Sequence, residues 1–249
     1  MGNKIAVFYT IGQTNNWEEE FYTFQLNRLQ NSTFYKNIDF IDISVVGDCL
    51  PLPFILDKTR NIIYGKSYEN NSLNFHKHIY DFCVNNPDYK IFQFHSLGVS
   101  YNEGDYKDNK SIFKNYLETL LIDNGEYCNN LLDYYDVVGT DLVKNAIFYN
   151  GVNWRDNNAE ERAIKFYAPH FQGGFWWATS KYISNLDLNY LNQEVPYQRY
   201  LPELWLGSNN PKIYNFYSSN QNHYIEKVDP PYKFILENTK EHLNKLSIS

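Results

Sequence analysis

The residues with the clearest chemical promise lie in His170-Phe171-Gln172-Gly173-Gly174-Phe175-Trp176-Trp177-Ala178-Thr179. A glycine pair stands against adjacent tryptophans, and a histidine precedes them. Without a Cβ, a glycine lets backbone or ligand approach closely. Neighbouring tryptophans on a strand point to opposite faces, so one packs inward and the other lines a cleft. Flat aromatic faces suit sugar rings, whose C–H surfaces are apolar while their hydroxyls need hydrogen bonds. Further along, Pro202-Glu203-Leu204-Trp205-Leu206-Gly207 offers Glu203 as an acid–base group. A strand with one large aromatic core residue and a turn is the plainer reading of the same stretch.

His95 closes an apolar run, where it could bond a phosphate or a sugar hydroxyl, or brace a loop. His76-Lys77-His78 looks like a metal pair, but residues two apart on a helix do not share a face. One half-buried and one exposed histidine is therefore expected there. The acids Glu18, Glu19 and Glu20 read as a solvated helix start, and Asp105 to Asp108 as a solvated loop. The sequence has no phosphate-loop, dinucleotide or nucleophile-elbow motif. With no Asp-x-Asp at a strand end, a divalent ion between paired carboxylates is not indicated.

These residues need elements to position them. Residues 5–10 form a short apolar run ending at Gly12, which fits a buried strand. Residues 17–30 and 72–84 carry helical spacing, with Pro87 ending the second. Residues 40–46 and 89–95 read as further strands. This strand–helix alternation predicts an α/β fold with a mostly parallel central sheet flanked by helices. Ligands in such sheets gather beyond the carboxyl ends of the strands. A ligand pocket is thus expected at Tyr9, Thr10, Asp48, His95 and Gly98. Residues 110–132 read as a long helical region, 135–139 as a strand, 150–167 as a polar loop and 236–246 as a short helix.

The chain of 249 residues suits one large domain, and nothing in it reads as a linker. Aromatics at 18% mark a globular protein with a substantial core. A net charge of -7 without a basic stripe argues against a nucleic-acid partner. Cys49, Cys83 and Cys128 form no CxxC pair and read as buried, reduced thiols. No signal peptide and no membrane span are read, so a cytoplasmic location is expected.

The succession Ile5-Ala6-Val7-Phe8-Tyr9, Val45-Val46-Gly47-Asp48, Phe92 to Ser100, Tyr135-Asp136-Val137-Val138-Gly139, His170 to Ala178 and Pro202 to Gly207 resembles a group of bacterial and viral glycosyltransferase-like proteins. The likeness covers nearly the whole length, with the blocks in the same order. It implies a single glycosyltransferase A-type domain over residues 1–249 and a role in building surface or capsular glycans. It further implies a nucleoside-diphosphate sugar donor, a glycan acceptor and an inverting transfer. Carried over residue by residue, Glu203 becomes the base, and His170, Gly173, Gly174, Trp176 and Trp177 the acceptor wall. The strand ends named above, Tyr9, Thr10, Asp48, His95 and Gly98, are then the donor side, and the resemblance implies that His223 closes over the diphosphate or its metal. Members often carry a lysine where Leu97 stands and an asparagine where Gly174 stands. The family's acidic metal pair falls where this chain has His95 and Gly98. Manganese and magnesium are accordingly the only cofactor candidates, with weak or absent dependence expected. A non-catalytic glycan- or nucleotide-sugar-binding module of the same fold is the alternative.

Overall fold

The computed structural model describes residues 4–13, 19–48, 50–66, 68–96, 105–143, 146–149, 163–166, 169–193, 201–219 and 230–248. In chain order the strands are β1 (Lys4–Gln13), β2 (Ile38–Gly47), β3 (Thr59–Gly65), β4 (Tyr89–His95), β5 (Val137–Gly139), β6 (Leu142–Val143), β7 (Ala146–Tyr149), β8 (Ala163–Phe166), β9 (His170–Phe171), β10 (Trp176–Thr179) and β11 (Ile213–Asn215). The helices are α1 (Glu19–Gln30), α2 (Tyr68–Asn85), α3 (Asp105–Glu118), α4 (Gly125–Leu131), α5 (Ser180–Ile183), α6 (Leu201–Trp205) and α7 (Tyr232–Ile248).

The central sheet has 7 strands in the order β11-β5-β10-β4-β1-β2-β3. β1 is its middle, parallel to β2 on one side and β4 on the other. Its run from Ile5 to Tyr9 is buried throughout, as befits a strand covered on both faces. β10 runs antiparallel between β4 and β5, and β11 lies parallel to β5 at the far edge. The fold is therefore α/β with a mostly parallel central sheet flanked by helices.

Strand alternation sorts the side chains into two cores. Ile5, Val7, Tyr9 and Ile11 of β1 pack with α1, α3, α4 and α7. Ala6 and Phe8 pack on the opposite face with α2, α5 and α6. Phe92 and Phe94 join the first core, Ile91 the second. Helix α2 presents Phe75, Ile79 and Cys83 to the sheet and ends before Pro87, which disfavours helical backbone at the preceding residue.

The helical region expected over 110–132 is broken. A wide π-type turn, Thr119–Asp123, separates α3 from α4. The expected loop at 150–167 lies largely outside the described residues, but β8 falls inside it and pairs with β7. The edge strand β3 escapes a pattern search because it opens on polar, partly exposed residues. Its anchor is tertiary: Arg60 and Asn61 donate to the buried carboxylate of Asp42, and His78 bonds that same carboxylate at 2.7 Å.

Cys83 and Cys128 are buried free thiols, and burial pushes Cys83 up to about 12. Cys49 lies outside the described residues. Among the described residues, no helix is long and apolar enough to cross a membrane.

Candidate functional site

Period-2 alternation along β4 turns Gln93 and His95 to the α2 face, the opposite face to Phe92 and Phe94. Thr10 of β1 is the Cα partner of His95, and Trp176 of β10 is the partner of Gln93. These residues make a floor at the carboxyl ends of β1 and β4. Ser72 and His76, one turn apart on α2, form a wall. Pro202 and Glu203 of α6 form the rim, and Gly174 closes the remaining side. Together they enclose about 30 Å³. That is room for a water or two, or for one small polar arm of a larger ligand.

The glycine pair determines how tightly this side closes. Gly173 has φ 77° and Gly174 φ 64°, both left-handed. A side chain is disfavoured there by backbone sterics alone. A Cβ on Gly174 would sit 2.9 Å from Nε2 of His95. A Cβ on Gly173 would sit 2.6 Å from Cδ1 of Leu117. The pair thus lets the turn between β9 and β10 press against His95 on one side and α3 on the other. The expected close approach is real, but the approaching partners are protein groups.

Both histidines of the pocket are neutral near pH 7. Burial drives His95 down to about 4, with nearby His76 adding to the shift and a bond to the Gly173 carbonyl opposing it. Burial also drives His76 down to about 4, against a hydrogen bond to the Ser72 carbonyl. The Nδ1 of His76 lies 2.8 Å from Ser72 O, so Nδ1–H donates and Nε2 keeps a lone pair. His95 likewise spends its single N–H on Gly173. Each ring therefore offers an acceptor, which suits a hydroxyl and not an anionic phosphate.

The tryptophans divide as strand alternation requires. Trp176 lines the pocket. Trp177 is fully buried in the other core, stacked on Phe92 at 4.6 Å, with Nε1 donating to Leu121 O at 3.0 Å. Trp177 therefore cannot be acceptor wall. Tyr9 also needs correction: it is fully buried, stacks on Phe94 at 4.3 Å and donates to Gln25 Oε1 at 2.6 Å. Alternation along β1 sends Tyr9 away from the face that carries Thr10. Gln25 passes the contact on, donating to Glu118 Oε1 at 2.7 Å, and Arg28 bonds Glu118 Oε2 at 2.8 Å. This polar chain ties α1 and α3 beneath the strand ends.

The remaining expected residues scatter. Asp48 sits at the same sheet edge, its amide donating to Gln13 O at 3.0 Å, but it is not among the pocket-lining residues. His170 is buried in β9, opposite Val143 and away from the pocket lining. Gly98 and His223 lie outside the described residues. Of the expected set, Thr10, His95, Gly174, Trp176 and Glu203 meet in one place.

Ser72, His76 and Gln93 were missed. Gln93 was findable by alternation from His95, and Ser72 with His76 by helical spacing. Neither signal says that α2 crosses β4 at that height. Among the described residues, no group of three or more His, Cys, Asp and Glu side chains is disposed to hold a metal. Asp141 sits at φ 53° with Oδ1 accepting from the amide and hydroxyl of Ser219, each at 2.7 Å.

No family model matches the sequence, and no curated protein matches it. Solved structures with partial likeness include 4-diphosphocytidyl-2C-methyl-D-erythritol synthase from Anaerococcus prevotii, at 15% identity and TM-score 0.43, with 97% of each chain covered. Another crystal structure of 4-diphosphocytidyl-2C-methyl-D-erythritol synthase matches at 9% identity and TM-score 0.40, covering 96% of this chain and 98% of that one. The 2-C-methyl-D-erythritol 4-phosphate cytidylyltransferase of Francisella tularensis matches at 12% identity and TM-score 0.39, covering 95% and 98%. The fold class rests on the strand order, and at these scores the likeness adds nothing about activity.

Proposed function

We propose that the protein transfers a sugar from a nucleoside-diphosphate sugar to a glycan hydroxyl, with inversion at the anomeric carbon. The reading is supported by the meeting of Glu203, Trp176, His95 and Thr10 in one pocket at the carboxyl ends of β1 and β4. Glu203 is exposed at the rim, where an acceptor from solvent can reach it. In the transfer, the acceptor oxygen bonds to the anomeric carbon and its proton passes to Glu203. The bond from that carbon to the phosphate oxygen breaks, and the nucleoside diphosphate leaves. Trp176 contributes an apolar edge beside the sugar, and main-chain amides meet the phosphate charge. Manganese and magnesium are the metals to test, with weak or no dependence expected.

The test is a panel of nucleoside-diphosphate sugars, read by thermal shift and by release of nucleoside diphosphate. Glu203→Gln should keep nucleotide affinity and lose on the order of a hundred-fold or more in turnover. Binding without turnover in the parent protein favours the non-catalytic sugar-binding module. Release of pyrophosphate from CTP with a phosphorylated alcohol would replace glycosyl transfer by the cytidylyl transfer named for the partially similar structures. If none of these nucleotides binds, the transferase reading falls.

A further inference from the structure

The floor of the pocket holds a buried group that the described residues do not satisfy. Gln93 is 4% exposed, and among the described residues its Oε1 has no hydrogen-bond partner. A buried acceptor left unpaired is destabilising unless something else donates to it. The surroundings sharpen what that donor must be. Nδ1–H of His76 is committed to Ser72 O, so Nε2 offers only a lone pair. The N–H of His95 is committed to the Gly173 carbonyl. Glu203 adds a carboxylate at the rim, and among the described residues no lysine or arginine lines the pocket. Gln93 Oε1 and His76 Nε2 are open acceptors, the Gln93 amide nitrogen is a donor, and Thr10 and Ser72 supply hydroxyls that can adapt to either role.

We propose that Gln93, His76 and Thr10 form a specificity socket that takes one hydroxyl-bearing arm of the sugar, and that the phosphates bind elsewhere. This inference deepens the transferase reading by assigning the pocket to the sugar ring. The geometry has three supports. The volume of the recess suits one hydroxyl or hydroxymethyl group. The buried acceptor Gln93 Oε1 and the His76 Nε2 lone pair call for a group that donates, which a sugar hydroxyl does and an ionised phosphate does not. Trp176, opposite Gln93 on β10, is 3% exposed and lines the socket, so it offers an apolar edge to the arm that enters. A site built to bond a substrate hydroxyl rejects the analogue lacking it, because its buried polar groups are then left unpaired.

The test reads the socket without relying on turnover. The imidazole nitrogens of His76 and His95 are followed by nitrogen-15 spectroscopy while methyl glucoside, methyl galactoside, methyl mannoside and inorganic phosphate are each titrated in. At least one glycoside should shift the His76 Nε2 resonance, and phosphate should not. Gln93→Leu should weaken that glycoside about ten-fold or more, as expected when one buried hydrogen bond to a ligand is lost. The same variant should melt at or above the temperature of the parent, because it removes an unpaired buried acceptor while keeping the volume. A merely structural Gln93 would give the opposite, a lower melting temperature with unchanged glycoside binding. No response to any glycoside, or a response to phosphate alone, overturns the proposal. A glycoside response in a protein that neither binds nor turns over nucleotide sugars keeps the socket and removes the transferase reading.

Discussion

Replacing Gly174 by alanine probes the packing that holds the site together. With φ 64°, the new side chain pays the left-handed penalty, about 1 kcal/mol or somewhat more. Its Cβ would also stand 2.9 Å from Nε2 and 3.2 Å from Cδ2 of His95. That ring is bonded to the Gly173 carbonyl and edged against Phe175 at 5.4 Å, so it has little freedom to retreat. Turning it off its rotamer, or breaking the bond, adds about 1–2 kcal/mol. Stiffening the unfolded chain returns roughly 0.4–1 kcal/mol. The net loss is about 2 kcal/mol, which for a chain of this size lowers Tm by roughly 4–8 °C. Gly12→Ala is the control: a Cβ there meets only Ser96 Oγ, at 3.8 Å, and φ is ordinary. Its Tm should stay close to that of the parent. In a His95→Ala background, Gly174→Ala should cost only the backbone part, about 1 kcal/mol. Calorimetry of the parent, both glycine variants and the double variant gives the answer. If Gly174→Ala melts like Gly12→Ala, the contact between the turn and His95 is wrongly drawn.

Trp177→Ala should destabilise the fold by about 3–5 kcal/mol, since it opens a cavity against Phe92 and removes the bond from Trp177 Nε1 to Leu121 O. Chemical denaturation checks it, and a loss below about 1 kcal/mol would put Trp177 back in a cleft. Stability should also fall in mild acid. His76 and His95 resist protonation in the folded protein down to about 4, whereas unfolded histidine titrates near 6.5. Between those values the unfolded chain binds more protons, so stability is complete above about pH 6.5 and is lost as pH falls toward 4. Each ring contributes on the order of 3 kcal/mol at the acid end of that window. Denaturant midpoints measured across it should decline, and His76→Phe should flatten the curve by its share. A profile level from pH 7 to 4.5 would refute the burial of these rings.

Much of the sheet was legible because its signals are local. Apolar runs closed by turn residues mark β1, β2 and β4, and helical spacing marks α1 and α2. Their alternation in the chain implies parallel neighbours, and the implied ligand edge follows from strand direction alone. β3 was not legible, because an edge strand exposes one side and needs no continuous apolar run. The antiparallel course of β10 was also hidden, since strand direction depends on where the chain re-enters the sheet.

The site divides along the same line. Residue types and spacing by themselves pointed to Glu203, His95 and the Gly-Gly-Trp-Trp stretch, and strand alternation required its tryptophans to part. Which tryptophan faces the pocket was not decided by that rule. It depends on β10 pairing with β4 so that Trp176 lies opposite Gln93 and Trp177 opposite Phe92. Tyr9 and Thr10 were equally good candidates until the two faces of β1 were assigned to different helix layers. His76 looked idle because its role depends on α2 crossing the sheet beside β4, a contact between residues far apart in sequence. Sequence carries the chemistry of single residues and the period of single elements. Only the packed layers decide which of those residues share a face, lose water and are left to seek a ligand.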